Sequence, residues 1–401
     1  MAKKIKILRI INRFNLGGPT FNAAYLTKYM GEEFETLLIG GEKDDTEESS
    51  TFILDSLALT PTIIPEMKRE IGFKEDKIAY KKLKDIIKEF QPDIVHTHAS
   101  KAGTLGRMAA YKCKVPVIVH TFHGHVFHSY FGKTKTVFYK NIERYLAKKS
   151  TKIIAISEIQ KNELTQQHKI CKKNKVAIVP LGFDLSRFQE NYETKRNDFR
   201  THYLLEEDEV AIGIIGRLVP IKNHRLFLEA INHLLKKTTK KVRVFIIGDG
   251  EEKENLTQYC KELKLDFTEF SKQKKKATIT FTSWVKNVDW ANAGLDIIAL
   301  SSLNEGTPVS LIEAQAANNP IVTSNVGGVE NVVLKDKTGF IVPPGNVNAF
   351  AEALLKLVEN DVLRKRLSEN GWEFVKEKFH YERLVNDMRE LYFSLLANNK
   401  K

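Results

Sequence analysis

Cysteine is scarce in this chain of 401 residues. Cys113, Cys171 and Cys260 are too few for a disulfide framework and too scattered for a zinc site, and they suit a reducing compartment. No apolar run approaches the ~20 residues that cross a bilayer. The opening stretch MAKKIKILRIINRFN places lysines ahead of apolar residues, as a signal peptide does. Arg9 and Arg13 interrupt that run, however, and no small-residue cleavage site follows, so it reads as a buried first strand. There is no G-x-G-x-x-G, which leaves a dinucleotide cofactor little support. No D-x-D occurs, so a diphosphate bridged by metal on such a pair is not expected. Self-similarity at a solenoid period is missing as well. The expected location is cytoplasmic.

What is present is a globular balance, 42% hydrophobic and 28% charged, with a net charge of +13. The length is comfortable for two domains. The charge is uneven: residues 1–185 hold 31 Lys and Arg against 20 Asp and Glu, and residues 101–181 alone hold 16 against 3. Such a basic segment suits nucleic acid, an anionic membrane or a phosphate-bearing substrate, and equally a lysine-rich solvated surface.

Short apolar runs alternate with helix-length amphipathic stretches, the βαβ pattern of a parallel sheet covered by helices. Strands are expected at Ile5–Ile11, Phe34–Ile39, Ile94–His96, Val117–His120, Lys152–Ala155 and Lys175–Val179. A second series follows at Val210–Ile215, Val242–Ile247, Thr278–Phe281, Ile297–Leu300, Pro320–Thr323 and Gly339–Val342. Two such series imply two doubly wound α/β domains, residues 1–185 and 186–380, separated by the polar segment Ser186–Glu209. Helices are expected over Ala349–Val358, Asp361–Lys378 and Tyr381–Leu396. The lysine-rich Ser271–Lys276 is expected to be an exposed loop.

Ligands in such sheets sit beyond the carboxyl ends of strands, and the motifs cluster there. Gly17-Gly18-Pro19 follows the first strand, where glycines admit a ligand to the backbone, although a plain tight turn would look the same. Gly216-Arg217-Leu218 through Lys222 follows the first strand of the second series, and its two cations could neutralise a diphosphate. Gly248-Asp249-Gly250 makes a further glycine turn, again compatible with a simple turn. The most informative stretch is Glu305-Gly306-Thr307-Pro308-Val309-Ser310-Leu311-Ile312-Glu313. Pro308 suits the first turn of a helix whose free amides and positive dipole end favour phosphate. Glu305 precedes that turn and can accept hydrogen bonds from hydroxyls. Glu313 lies inside the helix among apolar neighbours, where a carboxylate is costly unless paired.

This stretch resembles the E-x7-E motif of the retaining GT-B glycosyltransferases of family four, which includes bacterial cell-surface glycan enzymes. The resemblance covers nearly the whole chain. Gly17-Gly18 is similar to the family's N-terminal glycine loop, and Pro180-Leu181-Gly182-Phe183-Asp184 to the close of its first domain. Gly216 through Lys222 is similar to its diphosphate loop, and Gly248 to its second glycine turn. Trp284 falls where the backbone meets the nucleotide base, and Gly327-Gly328-Val329 matches the turn after the E-x7-E helix.

The resemblance implies two Rossmann-like domains facing across a cleft, with acceptor on the first and nucleotide sugar on the second. A C-terminal helix, residues 381–401, would cross back to the first domain. It implies catalytic roles for His123, Arg217, Lys222 and Glu305. Donor binding would fall to Gly17, Gly18, Gly216, Gly248, Trp284, Gly306, Thr307, Pro308, Val309, Ser310 and Glu313. In His120-Thr121-Phe122-His123-Gly124-His125, His123 is the match for the histidine that reaches the donor sugar. Strand alternation makes His120 a packed residue, and His125 and His128 would border the acceptor. His96, His98 and Lys101 end another strand and could touch the acceptor.

The co-substrate is a nucleotide sugar, with a uridine diphosphate sugar the family's commonest donor. Metal is not required, and no cofactor is expected. Retention without a nominated covalent nucleophile points to a front-face mechanism. The aromatic and basic stretch from Phe131 to Lys140 suits a membrane surface and a lipid-linked acceptor, hence peripheral association with the inner face of the membrane. Rival readings are a GT-B nucleotide-sugar epimerase and a non-catalytic nucleotide-sugar or glycan-binding protein. Nucleic-acid binding lacks any recognisable module.

Overall fold

The computed structural model describes residues 3–15, 18–43, 50–68, 70, 72–123 and 133–399, with side chains in the last stretch described from residue 136. Gly17, His125, His128, Phe131 and Gly132 lie outside these, as do the side chains of Lys133 and Lys135. The chain divides into two compact units, one of Met1–Phe183 with Lys378–Lys401, the other of Asp184–Glu377.

The first unit is built on seven strands: β1 (Ile5–Arg13), β2 (Phe34–Gly41), β3 (Thr62–Ile63), β4 (Ile94–His98), β5 (Val117–Thr121), β6 (Lys152–Ala155) and β7 (Val176–Ile178). Their order is β3-β2-β1-β4-β5-β6-β7, and every pair is parallel. The strands are near-continuous apolar runs because helices cover both faces of a parallel sheet. Ile7, Ile94, Val117 and Val119 pack on one face with Leu384, Val385, Met388 and Tyr392 of helix Tyr381–Asn399. On the other, Leu8, Ile10 and Val95 meet Ala79, Leu83 and Ile87 of helix Phe73–Phe90 and Ala109 of helix Ser100–Lys112.

The second unit repeats the scheme with β8 (Val210–Ile215), β9 (Val242–Ile247), β10 (Phe267–Glu269), β11 (Ile279–Ser283), β12 (Ile297–Leu300), β13 (Ile321–Ser324) and β14 (Gly339–Val342). The order is β10-β11-β9-β8-β12-β13-β14, again all parallel. Phe227, Ile231 and Leu234 of helix His224–Leu235 fill its core with Phe350, Leu354 and Leu357 of helix Val347–Glu359.

The α/β class and twelve of the strands follow the sequence pattern, with shifted ends. β1 and β4 each run two residues further, and Lys175 lies in a short turn rather than in β7. The edge strands β3 and β10 were not anticipated, being two and three residues long with no apolar run to mark them. The stretch expected as one helix over Asp361–Lys378 breaks into Asp361–Ser368 and Gly371–Phe379, with Gly371 held against the Gln315 backbone.

One charge pair inside the first unit sets a stability test. Arg107 and Glu143 meet at 2.7 Å with side chains 0% and 5% exposed. Burial pushes the Arg107 guanidinium below its ordinary range, and only Glu143 offsets that. Removing one partner of a buried pair strands the other. Glu143→Ala should therefore cost about 3–5 kcal/mol of unfolding free energy, measured by denaturant titration.

Candidate active site

Where the order of strands reverses, neighbouring connections leave on opposite faces and open a crevice at the carboxyl ends. In the second unit that point lies between β8 and β12, the strands that carry Lys222 and Glu305 on their following loops. After β8 the chain makes the short 3-10 turn Pro220–Lys222, ended by Asn223 at φ 50°, a conformation asparagine tolerates. After β12 the loop is tied to that turn. Leu303 N–H donates to the Ile221 carbonyl at 2.8 Å, and Ser301 Oγ lies 3.0 Å from the carbonyls of both Lys222 and Asn223.

Glu305 Oε1 then accepts from Lys222 Nζ and from Ser302 Oγ, each at 2.6 Å. The pair is mostly shielded, with side chains 24% and 10% exposed for Lys222 and Glu305. Charge-assisted bonds of this length are strong and directional. Both fall on one oxygen, and Oε2 has no hydrogen-bond partner among the described residues.

Glycines hold this loop by close approach. A Cβ on Gly327, whose φ is +50°, would lie 1.8 Å from the Glu305 carbonyl oxygen, and one on Gly328 equally close to that of Gly306. Gly328 N–H donates to the Glu305 carbonyl at 3.1 Å. Gly216 and Gly248 are a second such contact: Gly248 has φ +138°, and a Cβ there would lie 2.0 Å from the Gly216 oxygen. Beside it Asp249 accepts from Ser283 Oγ at 2.6 Å, from Lys253 Nζ and from Gly250 N–H. Burial raises the Asp249 pKa, but these bonds outweigh it and the carboxyl ends below its ordinary value. Trp284, the next residue after Ser283, is half exposed.

Pro308 is not in the first helical turn, as the sequence suggested. It is the N-cap, extended at φ −72° and ψ 96°, and the helix runs Val309–Ala316. Its ring fixes φ but leaves ψ free to bring the chain in from Thr307, so the open amides belong to Val309 and Ser310. The residue has no capping side chain to offer. Space above Gly306 is open, with no atom within 4 Å of a Cβ built there.

Arg217 is exposed and has no ion-pair partner among the described residues. Glu313 lies near other charges, its Oε1 3.9 Å from Arg187 Nη2. Burial pushes its pKa up to about 7; Arg187 opposes this and Asp289 adds to it.

In the first unit the reversal lies between β1 and β4. Gly18 opens helix Gly18–Lys28. His123, after β5, meets His98 at the end of β4, Nε2 to Nδ1 at 2.8 Å. Burial pushes the His123 imidazole down to about 3, so it is neutral at physiological pH. His120 is fully buried, its Nδ1 2.9 Å from Thr97 Oγ1 and its ring edge-on to Phe122. His96 is buried too, between Arg9, Tyr392 and Thr121. Lys101 pairs with Asp76 at 2.5 Å. Among the described residues no group of three or more His, Cys, Asp or Glu is arranged to hold a metal ion.

Sequence reasoning missed Ser301 and Ser302, which fix the lysine and the glutamate, and Arg187 beside Glu313. Their signal was position alone, directly after β12 and at the start of the second unit.

Two family descriptions fit this architecture: Glycosyltransferase Family 4 matches residues 23–187 and Glycosyl transferases group 1 matches residues 195–374. The chain belongs to the family-four glycosyltransferases of GT-B fold. It is 29% identical over 337 residues to an Escherichia coli UDP-Gal:alpha-D-GlcNAc-diphosphoundecaprenol alpha-1,3-galactosyltransferase, covering 84% of each chain. With the Staphylococcus aureus capsular polysaccharide biosynthesis glycosyltransferase CapM it shares 26% over 84% of this chain and 86% of that one. Among solved structures, Anabaena HepE in complex with UDP superposes with a TM-score of 0.80 at 17% identity, covering 97% of this chain and 100% of that chain. A glycosyltransferase from Rickettsia africae gives 0.78 at 21%, covering 98% and 99%.

Glu313 yields a pH test. Its carboxyl binds a proton more tightly folded than unfolded, so stability is greatest below its ordinary value of 4.5 and falls as pH rises towards about 7. Glu313→Gln should remove that decline. In calorimetry its Tm, relative to the parent, should climb between about pH 5 and about pH 7.5.

Proposed function

We propose that the chain transfers a sugar from a uridine diphosphate sugar to a glycan or lipid-linked acceptor, with retention and without a metal ion. The observation that carries this reading is the Lys222–Glu305 pair, 2.6 Å apart, with Glu305 four residues ahead of Val309 and the uncapped helix Val309–Ala316. In that arrangement Glu305 Oε2 accepts from sugar hydroxyls, while Lys222, Arg217 and the amides of Val309 and Ser310 hold the diphosphate. Gly216, Gly248, Gly306 and Thr307 keep the backbone close to it, Trp284 meets the base and Glu313 the ribose. In the first unit Gly18 contributes to substrate binding, and His123 hydrogen-bonds a substrate oxygen.

During transfer the bond from the sugar's anomeric carbon to the β-phosphate oxygen breaks. The acceptor oxygen bonds to that carbon from the same face, and its proton passes to the leaving phosphate. Preorganised cations and amides aimed at the departing charge do most of the catalytic work in such a step. Support for uridine comes from the donor named for the Escherichia coli relative and the UDP bound to the Anabaena protein. Support for a lipid-linked acceptor and cell-surface glycan synthesis comes from the names of the two bacterial relatives.

An exposed face of the first unit supports membrane contact. Helix Lys133–Lys149 exposes Val137, Phe138 and Tyr145, and helix Ser100–Lys112 exposes Met108 and Tyr111. Lys149 joins them, its Nζ 4.0 Å from the Tyr111 ring centre. Exposed apolar groups with lysine beside them favour an anionic interface.

Glu305→Gln and Lys222→Ala should each lower nucleoside diphosphate release about 100-fold or more while the circular dichroism spectrum is kept. Near-parental rates in both would remove the assignment. The parent should float with phosphatidylglycerol vesicles, and less so as salt is raised; equal flotation with phosphatidylcholine would discount the membrane face.

A further inference from the structure

His98 carries an arrangement that the proposed roles do not use. It ends β4, is fully buried, and lies between two other imidazoles: the His96 ring centre is 4.2 Å away and that of His123 5.1 Å. Its Nδ1 contacts His123 Nε2 at 2.8 Å. Its Nε2 and His123 Nδ1 are both sealed from water and have no hydrogen-bond partner among the described residues. His96 cannot serve, since its own nitrogens are taken by Arg9, Tyr392 and Thr121. The next residue, Ala99, sits at φ 65° and ψ 165°, a strained region nearly confined to glycine. Strain of that kind persists where the surroundings fix the backbone, and here it fixes how His98 leaves the strand.

Burial holds both imidazoles neutral. Two neutral rings joined by one hydrogen bond leave one N–H and one lone pair for the two outer nitrogens. A buried N–H without an acceptor is rarer, and costlier, than a buried lone pair without a donor. Both atoms are enclosed in the substrate-free chain, but His98 is wholly buried and His123 only partly, so the lone pair belongs on His98 Nε2 and the hydrogen on His123 Nδ1.

We propose that His98 is a positioning residue: its Nδ1–H donates to His123 Nε2 and fixes His123 as the tautomer that offers an Nδ1–H to a substrate oxygen. In this state His123 is a hydrogen-bond donor to a hydroxyl or phosphate oxygen and not a base that removes the acceptor's proton. This inference rests on the assignment of His123 to the glycosyl transfer site. Setting a tautomer through the second ring nitrogen is how histidine roles are commonly fixed.

Long-range hydrogen–nitrogen NMR correlation on the substrate-free full chain reads the tautomer directly. His123 is expected to be protonated on Nδ1, and protonation on Nε2 would overturn the proposal without any variant. In kinetics, His98→Leu should lower kcat on the order of 10- to 100-fold, with donor KM changed by less than about twofold. His98→Asn places an amide N–H near the position of Nδ1 and should recover most of the loss. In a His123→Ala background, His98→Leu should add nothing, the signature of residues acting as one unit. An asparagine no better than leucine, with additive losses, would make His98 merely structural. Full turnover in His123→Ala, with Glu305→Gln still inactive, would overturn the positioning role and leave the glycosyltransferase reading intact.

Discussion

The contact on which the second unit's site depends is the ion pair between Lys222 and Glu305, made between loops of adjacent parallel strands. β8 and β12 are hydrogen-bonded neighbours, yet 81 residues separate Ile215 from Ile297 in the chain. Only because the sheet reverses its order there do the two loops share one crevice. The pair is also braced: Ser301 and Leu303 tie the loop after β12 to the turn that carries Lys222, and Ser302 shares the carboxylate. A lysine in this setting is held at a defined point instead of sweeping solvent, which is what a cation needs if it is to meet departing negative charge without reorganising.

Close backbone contacts accomplish what larger side chains could not. Gly327 and Gly328 lie against the carbonyls of Glu305 and Gly306, and Gly248 against that of Gly216. At each, a single Cβ would push the loop away from its partner. Above Gly306, by contrast, the space is open.

The first unit solves a different problem. Histidines cluster at the carboxyl ends of β4 and β5, and burial keeps them neutral. Arg9 is buried in the same neighbourhood, bonded to His96, Tyr392 and the Leu26 carbonyl, with no carboxylate partner among the described residues. Tyr392 comes from the C-terminal helix, so the end of the chain contributes directly to the polar centre of the first unit as well as to its apolar core. The likeness of β1–β7 to β8–β14 is thus one of architecture, with a different chemistry at each crevice.

The sequence by itself determined the α/β class, twelve of the fourteen strands and the location of the motifs at strand ends, because buried parallel strands are apolar runs and loops are marked by glycine and proline. It also marked His120 as packed, through strand alternation. Pairings between distant residues were decided by tertiary structure. Nothing local joins Lys222 to Glu305, Arg187 to Glu313, His98 to His123 or Tyr392 to Arg9, since each depends on strand order and on how helices return to the sheet. Proline's place at the cap of helix Val309–Ala316, and not inside it, was likewise settled by the approach of the preceding loop, for proline constrains φ alone. Local periodicity reports which way a side chain faces; only the assembled sheet decides what it faces.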